Sequence, residues 1–418
     1  MVHPVSPPKL YSVSRPLRKV PALLNLADPL NPLVWLRADR GCVGVGELLR
    51  FTFTGPTRFS DAAEFWGRLV AEASIDDTVN RTASGLMAFG TFAFDDESTV
   101  ESVLIVPRLI VARKGNEAWA TEISTQPINE MRALPSPRPR TAWTGTILDT
   151  TQSDDNYLAA VQGATERIQR GELEKVVLAR SVRGSIGAED DLRVPLARLA
   201  YGYQNCWTYA VDGMIGASPE TLVRHVEAKI TARVLAGTRG RDTDADRDEA
   251  MRKELLSSEK EQHEHVFAVQ SVITALSPLV SNLRVSDEPY ALQLPNVWHL
   301  ASDISAISNE GVSTLDIVDA LHPTAAVAGT PTKAAVEAIR QLEGFDRGRY
   351  AGAVGWIGSY GDGDWVIGLR CAQVSPPADG ARQVIAYAGG GIVRGSDAQH
   401  EMRETVSKFR PIAEALKP

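Results

Sequence analysis

The pattern of hydrophobic and polar positions is weak over the first part of the chain and becomes regular after residue 154. In the first part, residues 61–73 have the apolar spacing of an amphipathic helix, and residues 85–94 and 103–112 are apolar runs of strand length. We therefore predict an N-terminal part, residues 1–150, that contributes sheet and helices to the fold. The elements that can be recognised most clearly belong to a second region, residues 151–418.

The second region begins with a clear helix signal. Asp154 or Asp155 suits the N-cap of a helix whose apolar stripe runs from Tyr157 to Ile168, and an apolar strand follows at residues 175–182. The same patterns predict further strands at residues 207–211, 221–225, 229–236, 351–360, 365–374 and 383–388, and helices at residues 246–276, 314–321 and 333–342. Because strands do not alternate strictly with single helices, a doubly wound parallel sheet fits poorly. The predicted fold class is α/β of the α+β type, with large, mostly antiparallel sheets flanked by helices in one structural unit.

Composition narrows the class of protein. The chain has 418 residues, of which 44% are hydrophobic, and a formal net charge of −8 with no basic run, so nucleic acid is not an expected partner. No apolar stretch has the length of a membrane span, and the N-terminus lacks the apolar centre of a signal peptide. Three cysteines, far apart in sequence, are typical of a reducing compartment. We expect a cytoplasmic enzyme that binds no membrane.

The C-terminal stretch carries the first chemical signal. Glu401, Glu404 and Lys408 are spaced to share one face of a helix, and they follow a predicted glycine loop, Gly389–Gly391, and an arginine, Arg370, on a predicted strand. Glutamate oxygens favour Mg²⁺ over zinc, and the arginine, glycines and lysine suit an anion. The alternative is that both glutamates are ordinary exposed helix acids. No nucleotide-binding fingerprint accompanies the glycines, so no nucleotide cofactor is expected.

Three further positions are candidates for chemistry. Lys175 opens an apolar strand, so it is either a strand-end lysine that reaches solvent or a desolvated lysine whose pKa is low enough for a base. Glu220 follows a glycine and a proline that predict a bend, which either directs it into a cleft or leaves it at a surface turn. Gly237 and Thr238 end a strand, where backbone N–H groups and a hydroxyl suit a carboxylate, although many strands end in glycine.

The segment SEKEQHEHVF, residues 258–267, invites a metal interpretation. It is not the zinc motif HExxH, because His263 and His265 are two residues apart and diverge around a helix. Glu264 is the better candidate ligand. The alternative is a solvated, charge-rich helix face, to which we assign residues 259–261.

Ten short motifs occur in one order along the chain: KVVLAR, GASPE, LAGT, SEKEQHEH, VWHLAS, LHPTAAVAGTP, FDRGRYAGAVGW, LRCAQV, AYAGGGI and EMRETVSKF. In these residues the chain resembles the chorismate-utilising enzymes, and among them the isochorismate synthases of menaquinone and siderophore biosynthesis most closely. The resemblance covers residue 154 to the C-terminus and identifies residues 151–418 as the chorismate-binding catalytic region. It implies one large unit built on antiparallel sheets, with the active site between them.

The resemblance also implies roles for single residues. Lys175 corresponds to the general base that activates water, and Glu220 to the general acid that protonates the departing hydroxyl group. Glu264 and Glu404 correspond to Mg²⁺ ligands, with Glu401 as a direct or water-mediated third. The groups that hold the substrate carboxylates correspond to Gly237, Thr238, Tyr350, Arg370, Gly389, Gly391 and Lys408, and His299 corresponds to a histidine of the pocket.

Lys175 is the residue that discriminates among family members. Relatives that add ammonia usually carry glutamine there and recruit a glutaminase, so the lysine implies water as the nucleophile. The expected activity is the Mg²⁺-dependent conversion of chorismate to isochorismate by a monomer without a glutaminase subunit. One alternative is a salicylate synthase, which goes on to eliminate pyruvate. A remote alternative is a chorismate-binding protein that has lost catalysis.

Overall fold

The computed structural model describes residues 8–137, 139, 142–293 and 297–418, together with their side chains except those of Thr238, Lys260 and Val297. Within this part of the chain, nearly all structure belongs to one connected set of strands with helices on its faces.

The strands, in chain order, are β1 (Tyr11–Pro16), β2 (Leu33–Arg37), β3 (Arg40–Phe53), β4 (Ser74–Asp77), β5 (Met87–Thr91), β6 (Ser102–Lys114), β7 (Glu117–Ser124), β8 (Lys175–Gly187), β9 (Trp207–Val211), β10 (Met214–Ser218), β11 (Thr221–Val226), β12 (Lys229–Gly240), β13 (Val280–Val285), β14 (Tyr290–Gln293), β15 (Val297–Ser308), β16 (Gly329–Thr330), β17 (Ala353–Gly358), β18 (Gly363–Ile367), β19 (Cys371–Val374) and β20 (Ala381–Ile392). The helices are α1 (Arg58–Ala71), α2 (Asp155–Gln169), α3 (Arg193–Gly202), α4 (Ala245–Ser257), α5 (Glu259–Leu276), α6 (Thr314–Leu321), α7 (Thr332–Glu343) and α8 (Ala398–Leu416).

Two arms of sheet start from the long pair β3–β6. The first arm runs β3–β2–β9–β10–β19–β20–β8–β16, and the second runs from β6 through β5–β17–β18–β11–β12–β15, with β13 and β14 on the far side of β15. Every described strand pair is antiparallel except β1–β4. The fold class predicted from the sequence is therefore confirmed.

The helices cover the two arms separately. Helices α2 and α7 pack on β8, and α8 packs on β20, so these three belong to the first arm. Helices α4 and α5 pack on β12 and β15 of the second arm. Among the residues that the model describes, no helix is both long enough and apolar enough to span a membrane.

Local signals in the sequence explain where α2 and α8 begin. Asp154 caps α2, because its carboxylate accepts a hydrogen bond from the backbone N–H of Tyr157 at 3.0 Å. Asp397 caps α8 in the same way, by accepting from the backbone N–H of His400 at 2.8 Å. Asp154 is one of the two N-cap residues that the sequence predicts for α2.

Three predicted elements differ from the structure. The single helix expected at residues 246–276 is two helices, because Ser258 has an extended backbone and caps α5 through a bond from Glu261 N. The strand expected at residues 365–374 is interrupted, because Arg370 has φ +50° and separates β18 from β19. Arg370 therefore lies in a break and not on a strand. Gly389–Gly391 form no loop, since they continue β20 and pair with residues 177–179 of β8.

Candidate active site

Lys175 is the first residue of β8, and it lies against a glycine of the neighbouring strand. Gly391 pairs with Val177, so Lys175 is its diagonal neighbour on the sheet. A Cβ atom at Gly391 would lie 2.8 Å from Lys175 Cε, which is too close for a non-bonded contact. Gly391 therefore leaves the space that the lysine side chain occupies.

The surroundings of Lys175 favour the neutral amine. Burial lowers its pKa, and the carboxylates of Glu264 and Glu220 oppose that shift without reversing it. The charge of Lys408 lowers the pKa further. Within the described residues, the Lys175 ammonium group makes no hydrogen bond or ion pair. These contacts are those expected of a lysine available as a base.

Glu220 lies in the bend between β10 and β11, and Ser218 fixes the backbone there. The Ser218 hydroxyl donates to the carbonyl of Ile367 at 2.6 Å and accepts from the backbone N–H of Glu220 at 3.2 Å. Burial raises the pKa of Glu220 to about 6, although Lys175 and Arg370 both work against that rise. The pKa shifts of Lys175 and Glu220 thus have the directions that base and acid require.

Arg370 provides a buried cation beside Glu220. Burial lowers its pKa, and the neighbouring Tyr350, Cys206 and Glu220 oppose the shift. Its guanidinium group makes no hydrogen bond or ion pair with any residue that the structure describes. Tyr350 is held by stacking on Tyr387, with ring centroids 5.1 Å apart and planes 12° from parallel. An unpaired, desolvated guanidinium next to a fixed tyrosine is suited to bind an anion.

The second arm contributes Gly237 and His299. The register between β12 and β15 shifts between Leu235 and Thr238, so Gly237 lies in a β-bulge with φ +84°. His299 Nδ1 lies 3.4 Å from the Gly237 carbonyl oxygen, and burial lowers the pKa of His299 to about 4. A neutral ring is therefore expected in the pocket. The backbone of Thr238 pairs with His299. The predicted contact of the Thr238 hydroxyl concerns a side chain outside the described part of the structure.

Helix α8 brings Glu401, Glu404 and Lys408 to the glycine segment of β20. Lys408 Nζ lies 2.6 Å from a Glu404 oxygen and donates to the Gly389 carbonyl oxygen at 2.8 Å. Burial disfavours the charged form of Glu404, but Lys408 outweighs it and the pKa of Glu404 is lowered. Glu401 is 7% exposed, and burial raises its pKa despite a hydrogen bond from Ser396 at 2.8 Å.

Carboxylates of α5 face the same region, and one of them was misassigned from the sequence. The Glu264 charge acts on Lys175. Glu261 was assigned to a solvated face, yet its Oε2 lies 3.0 Å from where a Cβ on Gly237 would be, and its charge also acts on Lys175. Glu261 and Glu264 have the same i, i+3 spacing as Glu401 and Glu404, and this repeated spacing was the overlooked signal.

The donor chemistry of these carboxylates fits a hard divalent cation. The neighbouring charge of Glu404 contributes to the raised pKa of Glu401, so the two carboxylates repel each other in the absence of a cation. Among the described residues, however, no three His, Cys, Asp or Glu side chains are grouped closely enough to share one ion. The structure thus gathers suitable oxygen donors near Lys175 without arranging them as a finished coordination sphere.

The two histidines of α5 diverge, as the sequence predicts. His265 is buried, with Nδ1 3.1 Å from the Ala236 carbonyl oxygen and Nε2 2.8 Å from the Ser302 hydroxyl. His263 is exposed and contacts the Phe267 ring, with centroids 4.7 Å apart. His265 therefore stabilises the bulge of β12.

Comparison with known proteins identifies the family. The model of the family described as "Chorismate binding enzyme" matches residues 6–417. The chain belongs to the chorismate-binding enzyme family. The residues around Lys175 and Glu220 described above are therefore the ones to compare with other members of this family.

Individual relatives of this family member are named isochorismate synthases. The putative isochorismate synthase MenF of Mycobacterium tuberculosis is 42% identical over 62% of this chain and 73% of its own length. The salicylate biosynthesis isochorismate synthase of Pseudomonas aeruginosa is 30% identical over 93% of this chain and 88% of its own length. The solved structure of MenF, the menaquinone-specific isochorismate synthase from Escherichia coli, superposes with a TM-score of 0.77 at 25% identity and covers 99% of this chain and 96% of that one.

Proposed function

We propose that this chorismate-binding enzyme is an isochorismate synthase, an isomerase that converts chorismate to isochorismate. The observation that carries the proposal is the pair formed by Lys175 and Glu220. The two residues share one cleft, where the lysine pKa is lowered and the glutamate pKa is raised to about 6. The names of the relatives support the same reaction.

The reaction needs both members of the pair. The oxygen of water bonds to ring C2 while the bond between C4 and its hydroxyl group breaks. Lys175 takes a proton from the attacking water, and Glu220 gives a proton to the departing hydroxyl group, which leaves as water. One water enters and one leaves, so the substrate is isomerised. General base and general acid catalysis typically contribute about 10²- to 10⁴-fold each.

The substrate is a dicarboxylate, and the cleft offers cations for both charges. We assign Arg370 with Tyr350, and Lys408 with the backbone of Gly389 and Gly391, to the two carboxylates. Gly237 supports the same assignment, because its bulge turns the β12 backbone toward the pocket. We assign Thr238 to the same group on the family resemblance alone. Neutral His299 fills the wall between these groups and adds no charge.

We further propose that the enzyme depends on Mg²⁺. Glu264 and Glu404 would hold the ion, and Glu401 would hold it directly or through water. Glu261 joins them in the proposal because of its place beside Gly237. When bound, Mg²⁺ supplies positive charge to a substrate carboxylate and fixes the orientation of the ring.

Substitution of one glutamate tests the metal assignment. Glu404→Gln should raise the Mg²⁺ concentration needed for half-maximal activity by about tenfold or more, because a charged ligand becomes neutral. Glu414→Gln on the same helix, whose partner is Arg410, is the matched control and should leave the Mg²⁺ titration unchanged. Superimposable titrations of the wild type and Glu404→Gln would remove Glu404 from the metal site.

A product assay tests the reaction itself. Purified protein, chorismate and Mg²⁺ should give isochorismate, followed by proton NMR, without release of pyruvate. Pyruvate in equal amount to consumed chorismate, together with salicylate fluorescence, would establish the salicylate synthase instead. Chorismate binding without turnover would support the silent binding protein.

The proposal also covers the cellular compartment and the oligomeric state of the enzyme. We place it in the cytoplasm as a monomer that uses water and therefore works without a glutaminase subunit. The three free cysteines, Cys42, Cys206 and Cys371, are compatible with a reducing compartment. Light scattering on the eluting protein checks the mass, which is 45.2 kDa for one chain.

A further inference from the structure

Tyr157 is a buried tyrosine close to the carboxylates of α8. It lies in the first turn of α2, where the bond from its backbone N–H to Asp154 fixes its position. Its side chain is 2% exposed, and its hydroxyl makes no hydrogen bond within the described part of the chain. A buried hydroxyl without a hydrogen-bond partner costs free energy, so its presence here calls for an explanation.

The groups near the Tyr157 hydroxyl supply that explanation. Tyr157 OH, Glu401 Oε2 and Lys408 Nζ lie 3.8, 3.3 and 3.7 Å, respectively, from the point where a Cβ on Gly390 would be. Gly390 has no side chain, so the space between the three polar groups stays open. The other oxygen of Glu401, Oε1, already accepts a hydrogen bond from Ser396. Tyr157 OH and the Glu401 oxygen that Ser396 does not use thus border the same opening at Gly390.

The phenol hydroxyl can serve as a donor at this place, because a tyrosine O–H both donates and accepts hydrogen bonds. A buried carboxylate that must remain charged needs donors on both oxygens, because each hydrogen bond replaces one that water would make.

We propose that Tyr157 is a positioning residue for Glu401. Its hydroxyl donates a hydrogen bond through one water molecule to Glu401 Oε2, and together with Ser396 it holds the carboxylate where a divalent cation can use it. This inference rests on the metal site in the proposed function. Tyr157 itself contacts neither substrate nor the reacting atoms.

The test uses Mg²⁺ alone, without substrate. Tyr157→Phe should raise the dissociation constant for Mg²⁺, measured by isothermal titration calorimetry, by roughly 3- to 10-fold, which is the loss of one hydrogen bond. The urea midpoint without metal should be unchanged or higher, since a buried hydroxyl without a partner is removed. In the assay, kcat at saturating Mg²⁺ should remain within about twofold of wild type.

A control and a companion variant make the result specific. Tyr290→Phe removes another tyrosine hydroxyl, one that bonds Asp303 at 3.0 Å, and should leave Mg²⁺ binding unchanged. Ser396→Ala removes the donor on the other Glu401 oxygen and should weaken Mg²⁺ binding as Tyr157→Phe does.

Several results would overturn the inference. Equal Mg²⁺ affinity of the wild type and Tyr157→Phe would overturn it. Failure of Tyr157→Phe to fold would also overturn it, because Tyr157 would then be a purely structural residue. If the wild type itself binds no Mg²⁺, the proposed metal site fails together with this inference. If the wild type binds Mg²⁺ and turns chorismate over but the variant does the same, only this inference fails.

Discussion

Two residues with opposite pKa shifts, Lys175 and Glu220, carry the chemistry that we propose for the cleft. Burial drives both shifts, because a low-dielectric site disfavours charge on lysine and on glutamate alike. The same burial therefore shifts the lysine toward its neutral form and the glutamate toward its protonated form. Both shifts leave the protein less stable than it would be with uncharged residues in these places.

Lys175→Ala tests the base. Turnover of chorismate should fall by about 10²-fold or more, since the proton acceptor is lost. Binding of chorismate, measured by calorimetry, should change only slightly, because Arg370 and Lys408 remain. Lys229→Ala is a matched control, since Lys229 also begins a strand but is exposed, and it should retain full activity. Near-normal turnover by Lys175→Ala would exclude the lysine as base.

Glu220→Gln tests how much free energy of unfolding is lost because the pKa of Glu220 is raised. The pKa of Glu220 is higher in the folded protein, about 6, than its ordinary value of 4.5, so its contribution to stability is full below pH 4.5 and is lost as pH rises through 6. Glutamine carries no charge to desolvate. The variant should therefore be inactive yet more stable than wild type at pH 8, by on the order of 1–2 kcal/mol, and nearly equal to it at pH 5.

Urea unfolding at the two pH values measures this difference. Glu174→Gln, at an exposed glutamate, should show no such gain at either pH. A Glu220→Gln variant that is no more stable at pH 8 than wild type would mean that Glu220 is not held in a desolvated site.

Short motifs supply the candidate residues, but not the contacts that depend on folding. The residues around Lys175 and Glu220 predict a base and an acid, and these two roles stay predictions. Glu261 was missed because charge alone does not distinguish a solvated helix face from one that turns into a cleft. Tyr157 was assigned to a helix core, since the opening at Gly390 is created by a strand more than two hundred residues away in sequence.

At the scale of secondary structure, the glycines of β20 act as part of a strand. Gly389, Gly390 and Gly391 keep the hydrogen-bonding register with β8, so the sheet continues beneath the substrate cleft. Three successive glycines suggested a loop because glycine is rare in strands. The absent side chains instead make room for Lys175 on one side and for Glu401 and Lys408 on the other.

Gly391→Ala tests this use of a strand glycine. The added Cβ would lie 2.8 Å from Lys175 Cε, so the lysine must move, and kcat should fall by about tenfold or more. Gly240→Ala, in strand β12 with open space around its Cβ position, should have little effect. Equal kcat values for Gly391→Ala and wild type would show that the position of Lys175 is not set by this glycine.

Helix and strand boundaries show where sequence patterns stop being informative. One continuous apolar and charged pattern covered α4 and α5, and only the extended backbone at Ser258 separates them. Likewise, nothing in the apolar run of residues 365–374 marks the left-handed backbone at Arg370.

At the scale of the whole molecule, the two sequence regions share their sheets. Strand β9 pairs with β2, and β17 pairs with β5, so residues 151–418 complete their arms only with strands from residues 1–150. These pairs support our proposal that the two regions form one structural unit. The sequence patterns predict the class of fold. They do not predict which strands of the two regions pair, because strand pairing joins residues far apart in the chain.

A fragment tests the shared architecture. Residues 151–418 expressed alone should aggregate or remain unfolded, because the edges of β9 and β17 are exposed. Co-expression with residues 1–150 should recover soluble protein with the circular dichroism of the full chain. A monodisperse, cooperatively unfolding 151–418 fragment would instead establish an independent domain.

The two arms have a mechanical consequence. They diverge from the β3–β6 pair, and among the described strands none pairs from the end of one arm to the end of the other. Lys175 and Gly391 lie on the first arm, whereas Gly237 and His299 lie on the second. If a dianion is held from both sides as we propose, it links the two arms, and we expect the protein to be most rigid when the cleft is occupied.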